Sequence, residues 1–256
     1  MRITGIVLKL TGFIIGTVVG SFLGVCIHRI PRGESLIMPR SYCPKCRAEL
    51  RPAELIPIIG YILIWGRCRH CGERVSPWHP LLEAGCGLLF AKILSAQGFT
   101  VSAINSLVLI SLAVVAAGID FRHKIIPDIL TLPWMVVGLV IGLFSGGIQG
   151  VFSRVLGLAA CGGLVFLIAI VSRGGMGGGD IKLMALVGSF LGVLGGLTSF
   201  IIAYIIGAIV GVILIALGIK SRRDEIPFGP FISLGTIITC IFSEQVIPVI
   251  FPWLRF

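Results

Sequence analysis

The sequence predicts an all-α polytopic membrane protein of about eight transmembrane helices, with one small polar loop between the first and second spans. Three observations predict it. Of 256 residues, 56% are hydrophobic and only 12% charged, against about 45–50% and about 25% in a soluble domain. The apolar residues fall in runs long enough to span a bilayer. The basic residues cluster in alternate loops between those runs, which is the pattern of a topology signal.

A ~30 Å hydrocarbon core needs about 20 helical residues at 1.5 Å per residue. Apolar runs lie at 5–28, 80–97, 101–119, 129–145, 151–172, 181–194, 197–218 and 230–251. The sixth is short and joins the seventh through Gly195-Gly196, so it reads as a span or a half-span, and seven spans is the alternative count. The first run is too long for a signal-peptide core and is followed by no small-residue cleavage site, so it reads as a retained span. Gly12, Gly16, Gly20 and Gly24 recur every four residues along it, and Gly188, Gly192 and Gly196 repeat the spacing. Such rows let helices approach closely. Three divisions follow: a first helix at 1–28, a polar loop at 29–79, and a helical bundle at 80–256.

The net charge of +10 would suit a nucleic-acid binder, but its distribution does not, and no nucleic-acid motif is present. Loop 29–79 carries Arg29, Arg32, Arg40, Lys45, Arg47, Arg51, Arg67, Arg69 and Arg74. Arg122, Lys124, Arg173, Lys182, Lys220, Arg222 and Arg223 fall in later loops on the same side of an eight-span arrangement. That side is expected to be the cytoplasm, with both termini outside. Basic loops there also attract anionic membrane lipid.

The polar loop holds Cys43-Pro44-Lys45-Cys46 and Cys68-Arg69-His70-Cys71, two C-x2-C pairs separated by 21 residues. Each pair can present two thiolates from one tight turn, and two turns complete a tetrahedral zinc site. Disulfides or a redox pair are the competing readings, disfavoured in a reducing cytoplasm. A loop this small buries little core and needs such a staple. Four thiolates close the coordination shell, so the zinc is expected to be structural. His70 is the alternative fourth ligand. Cys26, Cys86, Cys161 and Cys240 stand singly in apolar runs, where core packing is expected.

Few acids lie at membrane depth. Asp120 closes the third run in GIDFRHKIIPD, and Asp180 opens the sixth in GGMGGGDIK. Both fall at the cytoplasmic face. One reading pairs Asp120 with Arg122 or Lys124, and Asp180 with Lys182, as topology-setting charge. That reading leaves unexplained the glycines Gly174, Gly175, Gly177, Gly178 and Gly179, which favour close backbone approach or unusual angles. The other reading brings the acids together to share a proton, one activating water while the other polarises a carbonyl. Asp128, after Pro127, is a rival for the first role, although its position reads as a helix start. Glu83, in HPLLEAG, is either helix-terminal charge or part of a second site.

These residues resemble the type IV prepilin peptidases, G-x-G-D intramembrane aspartic proteases. The resemblance is carried by GSFLGVCIHRIP at 20–31, the two cysteine pairs, HPLLE, the D-x6-PD stretch at 120–128, G-x-G-D at 177–180, and IPFGPF at 226–231. It implies a bacterial inner-membrane enzyme that cleaves the basic leader of prepilins or pseudopilins at the cytoplasmic face. It also implies N-methylation of the new N-terminus by S-adenosyl-L-methionine. Asp120 and Asp180 then correspond to the protease pair, with Gly177 and Gly179 in the active-site loop. Cys43, Cys46, Cys68 and Cys71 correspond to the zinc-binding loop, and Gly66 and Glu83 are candidates for methyl transfer. Gly24 stands where the family usually has asparagine. No Gly-rich strand–helix fingerprint is present for a soluble nucleotide fold, so methyl transfer rests on the resemblance. The alternatives are an ion- or proton-coupled transporter using Asp120 and Asp180, and a non-catalytic assembly protein.

Overall fold

The computed structural model describes residues 2–38, 40–172, 175–221 and 224–252. Arg173, Gly174, Arg222 and Arg223, which enter the charge pattern and the glycine run, lie outside the described residues, as does the C-terminal Phe256. The fold is all-helical: α1 (Arg2–Arg29), a short α2 (Ile59–Leu63), α3 (Trp78–Gln97), α4 (Val101–His123), α5 (Leu132–Val171), α6 (Gly178–Ala216) and α7 (Gly229–Ile250). Five helices among the described residues are long and apolar enough to cross a membrane, namely α1, α4, α5, α6 and α7. The chain divides into two compact units, residues 1–103 and 104–256.

In the first unit, α1 packs against α3 along the predicted glycine row. A Cβ on Gly12 would lie 2.8 Å from Ala91 Cα, one on Gly16 2.5 Å from the Cys86 carbonyl, and one on Gly20 2.9 Å from Cys86 Cβ. Between two apolar helices in lipid, such close packing replaces the hydrophobic driving force of a soluble core. Gly24 departs from the row: its Cβ would meet only ordinary contacts, with Leu82 at 3.6 Å and His79 at 3.7 Å.

In the second unit, two of the helices are each broken by glycine. Gly146 and Gly147 leave helical geometry in α5, Gly147 with φ +58°, and Gly192 breaks α6 at φ +69°, ψ −172°. Only glycine adopts such a left-handed conformation without a Cβ penalty. Both breaks reverse the chain. Arg154 Nη1 donates to the Gly138 carbonyl at 2.9 Å, and a Cβ on Gly196 would lie 3.3 Å from Gly188 Cα. Residues that far apart along one straight helix would not touch. The sequence placed the second break at Gly195-Gly196. It falls at Gly192, so Gly188 and Gly196 face each other across a turn rather than lining one helix. The second arm of α5 closes on the first arm of α6 where Gly188 meets the Gly157 backbone and Gly162 meets Ala185. Helix α7 lies against the second arm of α6, with Gly235 against the backbone of Ser199 and Ala203.

One buried polar chain ties these arms together. Asn105, in the first turn of α4, donates through Nδ2 to the Phe190 carbonyl at 3.2 Å. Its Oδ1 accepts from Arg154 Nη1 at 2.7 Å. Phe190 immediately precedes the break in α6, where carbonyls lose their usual partners four residues on. Asn105→Ala removes a partner from both ends of this chain. We expect it to lower the unfolding free energy by about 1–3 kcal/mol, measurable by reversible denaturation in mixed micelles.

Candidate active site and metal centre

Asp120 occupies the last turn of α4, and its side chain is 6% exposed. Helix α4 ends three residues later, with Lys124 in a left-handed conformation at φ +53°. Asp120 Oδ2 accepts a hydrogen bond from the Gly229 backbone N–H at 2.9 Å. Gly229 opens α7 and is followed by Pro230, which has no N–H, so Gly229 supplies a donor at the electropositive start of that helix. A Cβ at Gly229 would lie 2.7 Å from Asp120 Oδ2. The approach therefore requires glycine.

Asp180 sits in the first turn of α6. Its Oδ2 accepts from the Gly177 N–H at 3.3 Å, a carboxylate turned back on the chain entry, as in half of a capping box. A Cβ at Gly179 would lie 3.1 Å from Ile126 Cβ, so the start of α6 rests on the segment that leaves α4. This brings Asp180 close enough to Asp120 for their charges to repel. None of Gly175, Gly177, Gly178 and Gly179 has a positive φ, and close approach accounts for only Gly175, against Ser172, and Gly179, against Ile126. A side chain on Gly178 would meet nothing, and nothing in the structure explains that glycine.

The two lysines nearest these acids form ion pairs with other carboxylates. Lys182 Nζ bonds Asp128 Oδ1 at 2.6 Å, and Lys124 pairs with Glu225 at 3.5 Å. Asp128 opens a single 3-10 turn, Asp128–Leu130, as expected of a helix start. Its carboxylate is spent on Lys182, tying the segment after α4 to the first turn of α6.

In the first unit, the four loop cysteines converge. Their sulfurs all lie within 4.8 Å of one another, with Cys43–Cys71 at 3.9 Å and Cys46–Cys68 at 3.8 Å. A zinc ion with ~2.3 Å bonds to four sulfurs needs tetrahedron edges of about 3.8 Å, so the residues fit zinc. Both pairs use the same turn. Arg47 N–H donates to the Cys43 carbonyl and Gly72 N–H to the Cys68 carbonyl, at 2.9 Å each. Arg47 (φ +58°) and Gly72 (φ +71°) are both left-handed. Backbone N–H groups of Cys71 and His70 hold the Cys68 thiol down, whereas burial and the neighbouring sulfurs hold the Cys71 thiol up. His70 is not in the cluster. An ion pair from Lys45 to Glu73 links the two turns.

The two methyl-transfer candidates hold opposite ends of α2. Glu83, buried in α3, accepts from the Ile58 N–H at 2.7 Å. Gly66, at φ +64°, lies so close to Tyr61 that a Cβ would be 2.8 Å from its hydroxyl. A buried carboxylate suits the cationic character of S-adenosylmethionine, while Gly66 acts on the turn alone.

Sequence reasoning gave Gly229 no role. Its only signal was the Gly-Pro step in IPFGPF, which marks a helix start without revealing what the free N–H binds.

Residues 14–96 match the model of the bacterial peptidase A24 N-terminal domain, and residues 107–212 match the type IV leader peptidase family. A curated "Prepilin leader peptidase/N-methyltransferase" from Bacillus subtilis (strain 168) is 36% identical over 240 residues, 92% of this chain and 94% of the relative. The chain belongs to the type IV leader peptidase family. A relative of the same description from Pseudomonas aeruginosa is 30% identical over 261 residues, covering 91% of this chain and 90% of the relative. No solved structure matches. With five membrane-length apolar helices and these relatives, the chain is a multi-pass membrane protein. The first family match contains all four cysteines, and the second contains both aspartates.

Purified protein is expected to carry about one zinc per chain, and Cys43→Ser or Cys71→Ser to release it and unfold the loop. Elemental analysis with thiol titration of the native protein checks this; four freely reactive thiols and no metal would refute it.

Proposed function

We propose that this protein cleaves the leader peptide of prepilins or pseudopilins at the cytoplasmic face of the bacterial inner membrane and N-methylates the new N-terminal residue. The observation that supports the reading is that the start of α6 rests on the segment leaving α4 and the start of α7 bonds Asp120, so Asp120 and Asp180 lie within range of each other's charge, each carboxylate held by a glycine N–H. The names of the relatives support the same two activities. Nothing observed favours the transporter alternative.

In this mechanism the two acids share one proton. The ionised carboxylate takes a proton from water as the water oxygen attacks the scissile carbonyl carbon. The protonated one donates to the carbonyl oxygen. The resulting tetrahedral intermediate collapses when the first acid delivers its proton to the amide nitrogen and the C–N bond breaks, while the second carboxylate takes back a proton from a hydroxyl of the intermediate and so restores the shared proton. Gly229 fixes the Asp120 carboxylate, and Gly177 and Gly179 set the entry of α6 that presents Asp180. Cys43, Cys46, Cys68 and Cys71 would hold zinc in a structural role, their four thiolates closing the loop on one ion. S-adenosylmethionine, when bound, supplies the methyl group. Glu83 is the residue we place toward its positive charge, with Gly66 shaping the adjoining turn.

The chain crosses the membrane eight times in this reading. Helices α1, α3, α4 and α7 cross once each, and the broken α5 and α6 cross twice, turning on the outer side at Gly146–Gly147 and Gly192. The zinc loop, 29–79, is then cytoplasmic, and the downstream bundle carries the peptidase site. Reporter fusions after Val75 are expected to read cytoplasmic, and fusions inserted at Gly147 external. A cytoplasmic reading at Gly147 would remove the eight-span arrangement.

Asp120→Asn and Asp180→Asn are each expected to lower the cleavage rate by about 10²–10⁴-fold, while Asp128→Asn keeps substantial activity. Gly229→Ala, which drives a methyl group into Asp120, is expected to impair cleavage with little change in unfolding temperature. The wild-type pH–rate profile is expected to be bell-shaped. Prepilin cleavage by purified variants decides all of these, and folded Asp120→Asn or Asp180→Asn protein cleaving at the wild-type rate would end the mechanism. Glu83→Gln is expected to spare cleavage while lowering N-methylation, read by mass spectrometry of the processed N-terminus.

A further inference from the structure

Helix α2 has one face held and one face bare. On the held side, Gly60 is seated against the Glu54 backbone, and Tyr61 packs beneath Gly66. The Ile58 N–H at the start of the helix is bonded to Glu83 of α3. On the bare side, Ile59, Ile62 and Leu63 are spaced as neighbours on one helical face and are 54%, 62% and 55% exposed. Ile56 precedes them, and Trp65 follows at 89% exposure. A contiguous apolar patch of this kind marks an interaction surface.

Backbone strain brackets the same segment. Ile58 and Trp65 adopt positive φ, +63° and +52°, a conformation that β-branched and bulky residues rarely take. Strain retained at both ends of an element is a pointer to function. Here its effect is to project the apolar side chains away from the unit.

We infer that this face of α2, from Ile56 to Trp65, is seated in the membrane–water interface on the cytoplasmic side, with its apolar side chains among the upper acyl chains. Depth is the first argument. The bond from Ile58 ties α2 directly to Glu83, in the second turn of α3, so α2 lies level with the start of a helix we read as crossing the bilayer. Composition is the second. Tryptophan is enriched at this interface, and a short amphipathic element buries its apolar face at the headgroup–acyl boundary. Charge is the third: exposed Arg51 and Arg67 flank the segment, where anionic headgroups attract them. The zinc-stapled loop is then a surface resting on lipid, held at both C-x2-C turns by metal and along α2 by the bilayer.

The inference rests on α3 as a span, which a reporter fusion at Gly98 reading external tests separately. The docking itself is tested with full-length protein in phosphatidylglycerol bilayers whose acyl chains are brominated near the headgroup. The difference between wild-type and Trp65→Phe fluorescence isolates Trp65. We expect blue-shifted emission, quenched by the lipid bromines and protected from aqueous iodide. Quenching by iodide without quenching by bromine would place Trp65 in water and overturn the inference. Protection from both quenchers would mean that protein covers the face, and would overturn it equally. Ile62→Trp in the Trp65→Phe background supplies a second reporter with the same expected and refuting outcomes.

Discussion

A carboxylate set at the end of an apolar helix must have its oxygens answered by the protein, because lipid offers no donors. Here the donors are backbone N–H groups at helix starts, Gly229 for Asp120 and Gly177 for Asp180. A side-chain cation would have answered the charge as well, but would have held each acid in a permanent ion pair. Backbone N–H groups orient a carboxylate without supplying a formal charge, which suits the shared proton of the proposed mechanism. Much else in the second unit follows from this choice. Helix α7 must begin within hydrogen-bonding distance of the end of α4, and α6 must begin against Ile126. The nearby lysines form their ion pairs with other acids, Lys182 with Asp128 and Lys124 with Glu225.

Holding three helix ends together demands that the helices behind them pack closely, and glycine does this throughout. Gly157 against Gly188 and Gly235 against Ser199 and Ala203 bring backbones nearly into contact. Apolar side chains gain nothing by leaving lipid for one another, so tight van der Waals packing has to supply the association. The first unit solves a different problem. Its loop is polar, too short for a core, and strained at Ile58 and Trp65. The four-sulfur cluster substitutes for the missing core by closing two distant turns on one point.

Much of this was legible in the sequence because polarity and spacing carry it. The apolar runs foretold the helices to within a few residues, the glycine row of α1 foretold its packing on α3, and the C-x2-C spacing foretold the sulfur cluster. What escaped was whatever depends on one backbone angle or on one long-range bond. Four glycines between 188 and 196 are equally able to turn the chain, and only the structure singles out Gly192. The Gly229 N–H reaches an acid far away in sequence, and no local pattern encodes that meeting. The charge pairs misled for a related reason: Lys182 is two residues from Asp180, yet neighbours two apart on a helix do not face each other. Its partner, Asp128, comes from the segment after α4.

The position of the break in α6 also bears on where the chemistry happens. From Gly192 back to Asp180 the first arm of α6 rises about 18 Å at 1.5 Å per residue, well short of the ~30 Å hydrocarbon thickness. In the proposed eight-span arrangement, with the Gly192 turn at the outer boundary, this arm leaves Asp180 short of the cytoplasmic boundary. Asp120, held by the start of α7, is nearly closed to solvent from its own side. In that arrangement a scissile bond reaching the proposed pair descends below the headgroups, and water must follow it. The short arm sets the depth of the acid in that arrangement: one more helical turn before Asp180 would lift it by about 5.4 Å, toward bulk water.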